Sequence, residues 1–245
     1  MTESKPLEGR VALITGASGG IGGALAARLA EAGADLALAY SGHREDAERV
    51  AASVGVKTLL LQGDLGDREV PGRLVERTRD ELGAVDVLVP NAGVGKQLAW
   101  DEVDVDTWDT TMAVNTRAPF LLAQAALPSM IERGWGRILF VSSIAALNGG
   151  LVGPHYAASK AALHGMTYHL ASRVAGKGVT VNAIAPALIG GTRILPRSGP
   201  GELPAPIPVG RLGEPDEVAA MALSMLTNAY LTNKVIAVDG GLFAY

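Results

Sequence analysis

The sequence predicts one α/β domain spanning residues 1–245, built on a doubly wound sheet of about seven mainly parallel strands with helices on both faces. Three observations predict it. Short apolar runs recur along the chain, segments of helical period separate them, and a glycine-rich turn follows the first run directly. Runs that are apolar throughout suit strands buried on both faces, and the intervening segments are long enough to cross a sheet face.

The elements follow in pairs. Val11 to Thr15 is the first strand, and its turn leads into a helix over Ile21 to Ala32. Leu36 to Tyr40 with Arg44 to Val54, Thr58 to Gln62 with Glu69 to Leu82, and Val85 to Pro90 with Thr107 to Arg133 continue the alternation. Arg137 to Val141 with Tyr156 to Ala175, then Val179 to Ala185 with Glu214 to Leu226, bring it to a last strand at Val235 to Val238. Right-handed crossovers of such units give an open Rossmann-type sheet, whose ligand crevice lies beyond the carboxyl ends of its strands. The alternation breaks only at Pro186 to Gly213, which holds six prolines. A long irregular stretch inside a compact domain is usually functional, so residues 187–213 read as a substrate lid.

Composition narrows the function. A net charge of −4 without a basic run offers no attraction to nucleic acid or anionic lipid. The absence of Cys excludes disulfides, thiolate catalysis and Cys-based metal sites, and no other feature implies a metal. The polar start, Met1 to Arg10, and the lack of ~20 successive apolar residues give the expectation of a cytoplasmic protein without a membrane span.

The turn Thr15-Gly16-Ala17-Ser18-Gly19-Gly20-Ile21-Gly22 lies between a strand and a helix. Glycines there allow a tight turn, close approach of backbone to a pyrophosphate, and a helix N-terminus whose N–H groups face the anion. No Lys followed by Ser or Thr ends the loop, so it is not the phosphate loop of nucleotide triphosphatases. Further on, Tyr156 and Lys160 stand four residues apart, hence on one flank of a helix. A free phenol titrates near 10, and a neighbouring cation favours the phenolate. The spacing fits a coupled acid/base pair, although by itself a tyrosine and a lysine so placed are more often an ordinary helix surface.

The spacing TGxxxGxG resembles the short-chain dehydrogenases/reductases, and further motifs match in order. Asp64-Leu65 resembles the family's adenine-contacting pair. Asn91-Ala92-Gly93 resembles the motif that steadies the sheet beside the cofactor, although Pro90 stands where the family usually has Asn. Ser143 precedes Tyr156 by 13 residues, similar to the family's serine-to-tyrosine interval, and Asn115 resembles its fourth member. The resemblance implies that Ser143 polarises a carbonyl oxygen and Tyr156 exchanges its proton. It also implies that Lys160 binds the nicotinamide ribose and that Asn115 holds a water leading to solvent. Ser142 competes for the serine role, but its side chain should alternate to the other face. His155, a quarter-turn from Tyr156, reads as a packing or substrate contact.

Gly16, Ser18, Gly20, Ile21 and Gly22 would hold the cofactor phosphates, and Pro186, Ile189 and Thr192 would contact it from the lid side. Cofactor choice rests on the end of the second strand, where a carboxylate would accept from a 2′-hydroxyl and repel a 2′-phosphate. That place carries Ser41, Gly42, His43 and Arg44, with no acid before Glu45, so NADP(H) is favoured and NAD(H) remains open. Gly19, where many NADP-preferring relatives carry Arg or Lys, counts the other way. Ser41, His43 and Arg44 are the expected phosphate contacts.

Trp100, Leu147, Leu151, Leu188, Ile194 and Leu195 would line an apolar substrate pocket under the lid. The closing segment, Arg211 to Gly241, resembles the beta-ketoacyl carrier-protein reductase-like subgroup. That resemblance implies a 3-oxoacyl thioester or small ketone substrate and a homotetramer. The alternatives are an NAD(H)-dependent sugar or polyol dehydrogenase, a non-catalytic nucleotide-binding module, and an epimerase or dehydratase of the same fold. Intact Ser143, Tyr156 and Lys160 weigh against the module. Relatives of the last kind generally carry a C-terminal substrate domain.

Overall fold

A computed structural model describes residues 5–195 and 202–244. Among these, seven strands form one sheet: β1 (Val11–Thr15), β2 (Asp35–Tyr40), β3 (Thr58–Gln62), β4 (Val87–Val89), β5 (Gly136–Val141), β6 (Val179–Pro186) and β7 (Val235–Val238). Their order is β3-β2-β1-β4-β5-β6-β7, and every pairing is parallel. The helices are α1 (Gly20–Glu31), α2 (Arg44–Ser53), α3 (Val70–Glu81), α4 (Val105–Met112), α5 (Ala118–Glu132), α6 (Ala145–Asn148), α7 (Pro154–Val174) and α8 (Pro215–Thr227).

Alternation along the strands divides the core into two layers. Leu13 joins the cluster containing Leu74 of α3, Leu122 of α5 and Leu163 of α7. Its neighbours Ala12 and Ile14 join the opposite cluster, with Leu25 and Leu29 of α1 and Val218, Ala222 and Met225 of α8. Because β1, β5 and β6 are buried at every residue, their apolar runs need no polar face. From β1 the sheet grows outward through β2 and β3 on one side and through β4 to β7 on the other, so the strand order switches between β1 and β4. A crevice therefore opens beyond their carboxyl ends, as such switch points require.

Two elements differ from the sequence expectation. The helix expected over Thr107 to Arg133 is interrupted by a π-helical turn, Ala113–Arg117, between α4 and α5. Such a turn inserts one residue without changing the local apolar content, so periodicity does not register it. A single turn, α6, also follows β5, where it is too short to show a helical period. The described ends of the stretch expected to be a lid return to the sheet: Ile189 bridges Gly213, and Val209 N–H donates to Gly240 O (3.1 Å). Lid residues 196–201 lie outside the described residues.

Candidate active site

The crevice is a continuous cavity of 1410 Å³, and its floor begins at the glycine turn after β1. Gly16 adopts φ +67°, and a Cβ placed on Gly22 would lie only 2.2 Å from Gly16 O, so the turn closes as tightly as its backbone permits. The turn delivers α1 with Gly19 as its N-cap and no side chain capping it. Its first N–H groups are therefore left for a ligand. Asn91 ties the loop to the end of β4, its Nδ2 donating to Thr15 O (3.0 Å) and Gly16 O (3.1 Å). Thr15 Oγ1 accepts from the backbone N–H of both Asn91 and Ala92. Sequence reading gave Thr15 no such role.

On α7, Tyr156 and Lys160 share a flank as their spacing requires. The Lys160 Nζ lies 5.8 Å from the Tyr156 ring centre and donates to Val141 O (2.8 Å) at the end of β5. Tyr156 is also within hydrogen-bonding reach of Ser143, whose Oγ accepts from Ala145 N–H (3.2 Å). Ser142 turns away, as alternation predicts: its hydroxyl donates to Lys160 O (3.0 Å) and meets His164 Nε2 (2.8 Å). Ser143, Tyr156 and Lys160 all border the cavity.

Electrostatics correct one sequence expectation. Burial raises the Tyr156 phenol above its ordinary value, and the Ser143 hydrogen bond only partly offsets this. Burial likewise lowers the Lys160 amine to about 8. Desolvation thus outweighs the cation field that the spacing implied, because a buried amine is itself less readily charged. At neutral pH the phenol keeps its proton.

Asn115 is fully buried in the π-helical turn, behind the cavity wall. Its Oδ1 accepts from Val94 N–H (2.8 Å), and its Nδ2 donates to Val94 O (2.8 Å) and Ser159 Oγ (3.0 Å). This clamps the strap after β4 to α7. Gly95 of that strap lies against the Tyr156 ring, since a Cβ there would stand 2.8 Å from Cδ2.

The expected cofactor residues of the glycine turn, the Asp64-Leu65 pair, Asn91 to Gly93, Ser41, His43, Pro186, Ile189 and Thr192 all border the cavity. Arg44 does not. Its guanidinium instead pairs with Glu48 one turn along α2 (2.7 Å) and is mostly exposed. The α2 side chains that do reach the cavity are Asp46, Arg49, Val50 and Ser53, and Arg193 joins them from the stretch after β6. Helical spacing from His43 would have picked out Asp46 and Arg49; nothing local marks Arg193. Of the expected substrate wall, Leu151, Leu188, Ile194 and Leu195 border the cavity. Trp100 and Leu147 do not, and Trp100 is 80% exposed. His155 is fully buried off the cavity, with its ring against Gly153.

Comparison with known proteins agrees with this geometry. Residues 10–202 match the family model described as short chain dehydrogenase. A 3-oxoacyl-[acyl-carrier-protein] reductase of Aquifex aeolicus is 35% identical, with 97% of this chain and 98% of the relative covered. An acetoacetyl-CoA reductase of Shinella zoogloeoides is 36% identical over 96% of this chain and 98% of the relative. Among solved structures, a blue fluorescent protein from a metagenomic library, in complex with NADPH, superposes with a TM-score of 0.91 at 38% identity, covering 98% of this chain and 100% of that one. The chain belongs to the short-chain dehydrogenase/reductase family.

Proposed function

We propose that this chain is an NADP(H)-dependent carbonyl reductase acting on a 3-oxoacyl thioester or a small ketone. The observation that carries this reading is a buried Tyr156 beside Ser143 and Lys160 on the wall of one long cavity. A phenol that keeps its proton at neutral pH suits reduction, where the carbonyl oxygen must receive one. The relatives named as 3-oxoacyl and acetoacetyl-CoA reductases support the substrate class.

A dinucleotide fits the residues present. The turn beneath it closes tightly, since a Cβ on Gly22 would lie 2.2 Å from Gly16 O, and the uncapped start of α1 offers N–H donors to its pyrophosphate. Backbone of the Gly16 to Gly22 turn would hold the phosphates, Asp64 and Leu65 the adenine, Lys160 the ribose, and Ile189 and Thr192 the carboxamide side. The bound cofactor supplies a hydride to the carbonyl carbon. Ser143 donates a hydrogen bond to the carbonyl oxygen, and Tyr156 gives that oxygen its phenolic proton as negative charge develops. Lys160, in its charged form, stabilises the resulting phenolate until solvent returns the proton. Asn115 holds the strap against which the Tyr156 ring rests.

The same reading takes residues 1–245 as one catalytic domain with a lid at 187–213, working in the cytoplasm as a homotetramer. Trp108 on α4, Phe120 on α5 and Tyr168 on α7 are 39%, 42% and 49% exposed, apolar surface that a symmetric partner would cover. Light scattering at the mass of one chain would contradict the assembly. The enzymatic reading is tested by adding NADPH or NADH to the protein with a panel of 3-oxoacyl thioesters, ketones and polyols. Oxidation of NADPH by a ketone or thioester is expected; silence across the panel with both cofactors would leave only a binding module.

A further inference from the structure

The adenosine end of the cavity lacks the cation that the glycine turn and the end of β2 would be expected to supply. Gly19 has no side chain, and Arg44 points to Glu48. The lid provides one. Beyond β6, the strap is fixed at its base by Gly190 N–H donating to Gly213 O (2.9 Å) and Gly213 N–H to Leu188 O (3.0 Å). Thr192 then crosses the phosphate turn, where a Cβ on Gly20 would lie 3.5 Å from its Cγ2. From there Arg193 spans the mouth of the cavity, Nη1 donating to Ser18 Oγ (3.3 Å) and Nη2 to Asp46 Oδ2 (2.9 Å).

Charge at this end is balanced unusually. Asp46, in the first turn of α2, would by itself accept from ribose hydroxyls and repel a phosphate. It is instead held between Arg193 and Arg49, the latter one helical turn away. Both guanidiniums flank Asp46 beside Ser18, Ser41 and His43, all on the cavity wall, with Asp64 also on that wall. A phosphomonoester there carries more negative charge than Asp46 and offers more acceptor oxygens, so it competes for the same guanidiniums. We propose that Arg193, carried by the lid, is the residue that distinguishes NADP(H) from NAD(H), and that the cofactor's 2′-phosphate thereby holds the lid strap over the phosphate turn. This rests on the reading of the cavity as a dinucleotide site.

Coupling follows from the covalent placement. A phosphate that gains a contact with Arg193 favours the position of the strap bearing it, and a strap so positioned favours the phosphate by the same factor. NADH, without that group, leaves Arg193 on Asp46.

Equilibrium titration of nicotinamide fluorescence, without substrate, tests this. Arg193→Ala should raise the Kd for NADPH roughly ten- to hundredfold, the worth of one charge-assisted hydrogen-bonded contact, with the Kd for NADH within about twofold of wild type. Arg193→Lys should recover part of the NADPH affinity, because it keeps the charge but not the fork. Asp46→Asn should shift the NADPH-to-NADH preference further toward NADPH. Equal weakening for both cofactors, or no change for either, overturns the assignment of Arg193 while leaving the dinucleotide site intact. A wild-type protein that binds neither cofactor overturns both.

Discussion

Replacing Asn115 with Ala removes three hydrogen bonds at once. Its side chain is fully buried and satisfied by Val94 N–H, Val94 O and Ser159 Oγ at 2.8, 2.8 and 3.0 Å. Each such bond is worth about 1 kcal/mol net, and an unfilled space adds to the loss. Val94 is 39% exposed, so its backbone regains water and part of the penalty is relieved. The expected destabilisation is about 2–4 kcal/mol, read as a lower urea midpoint at unchanged slope. A second effect acts on the chemistry. Releasing Val94 loosens the strap whose Gly95 backs the Tyr156 ring, and misplacement by about 1 Å costs on the order of 100-fold in rate. Steady-state kinetics beside the urea melt would show kcat falling far more than KM changes. An Asn115→Ala protein with wild-type midpoint and wild-type kcat would refute the clamp.

Two further outcomes follow from the same geometry. Gly22→Ala places a methyl 2.2 Å from Gly16 O and 2.7 Å from Asn91 Nδ2, so the phosphate turn must open. Cofactor affinity should fall at least tenfold and stability by about 1–3 kcal/mol; a fluorescence titration matching wild type would contradict the close approach. For pH, Lys160 loses its proton at about 8 while Tyr156 keeps its own to higher pH, so kcat/KM for carbonyl reduction should decline through that value. A profile flat across it would remove Lys160 from the proton path. Because the folded state lowers this amine from 10.5 to about 8, the unfolded chain binds more protons between those values. Lys160's contribution to stability therefore rises with pH over that window.

The layered architecture was legible because buried parallel strands leave continuous apolar runs, and right-handed crossovers leave little freedom in their arrangement. Val11 to Thr15, Thr58 to Gln62 and Val235 to Val238 match their strands at both ends. The phosphate turn and the Tyr156–Lys160 flank were legible for a different reason: each needs a fixed local spacing, which survives in the chain. What escaped depends on distance or environment. Asn115 itself was named, but the π-helical turn that carries it has the composition of any helix, so the clamp it makes on Val94 and Ser159 was not. Arg193 reaches Asp46 across 147 residues, so only the fold brings this cation to the α2 carboxylate in place of Arg44. The direction of the Tyr156 shift was also hidden, since spacing reports the neighbouring amine but not the burial of both groups. Trp100 looked like a pocket wall from its apolar ring alone, yet it stands on the outer surface.

Tyr156→Phe tests the central claim most directly, because it deletes the phenolic oxygen and little else. Measured with NADPH and a ketone or thioester that the wild type reduces, turnover should fall by at least about 10²–10⁴-fold, while the Kd for NADPH in the same preparation stays within about threefold of wild type. A Tyr156→Phe protein that still reduces the substrate at a comparable rate would contradict the assignment of Tyr156 as the proton donor.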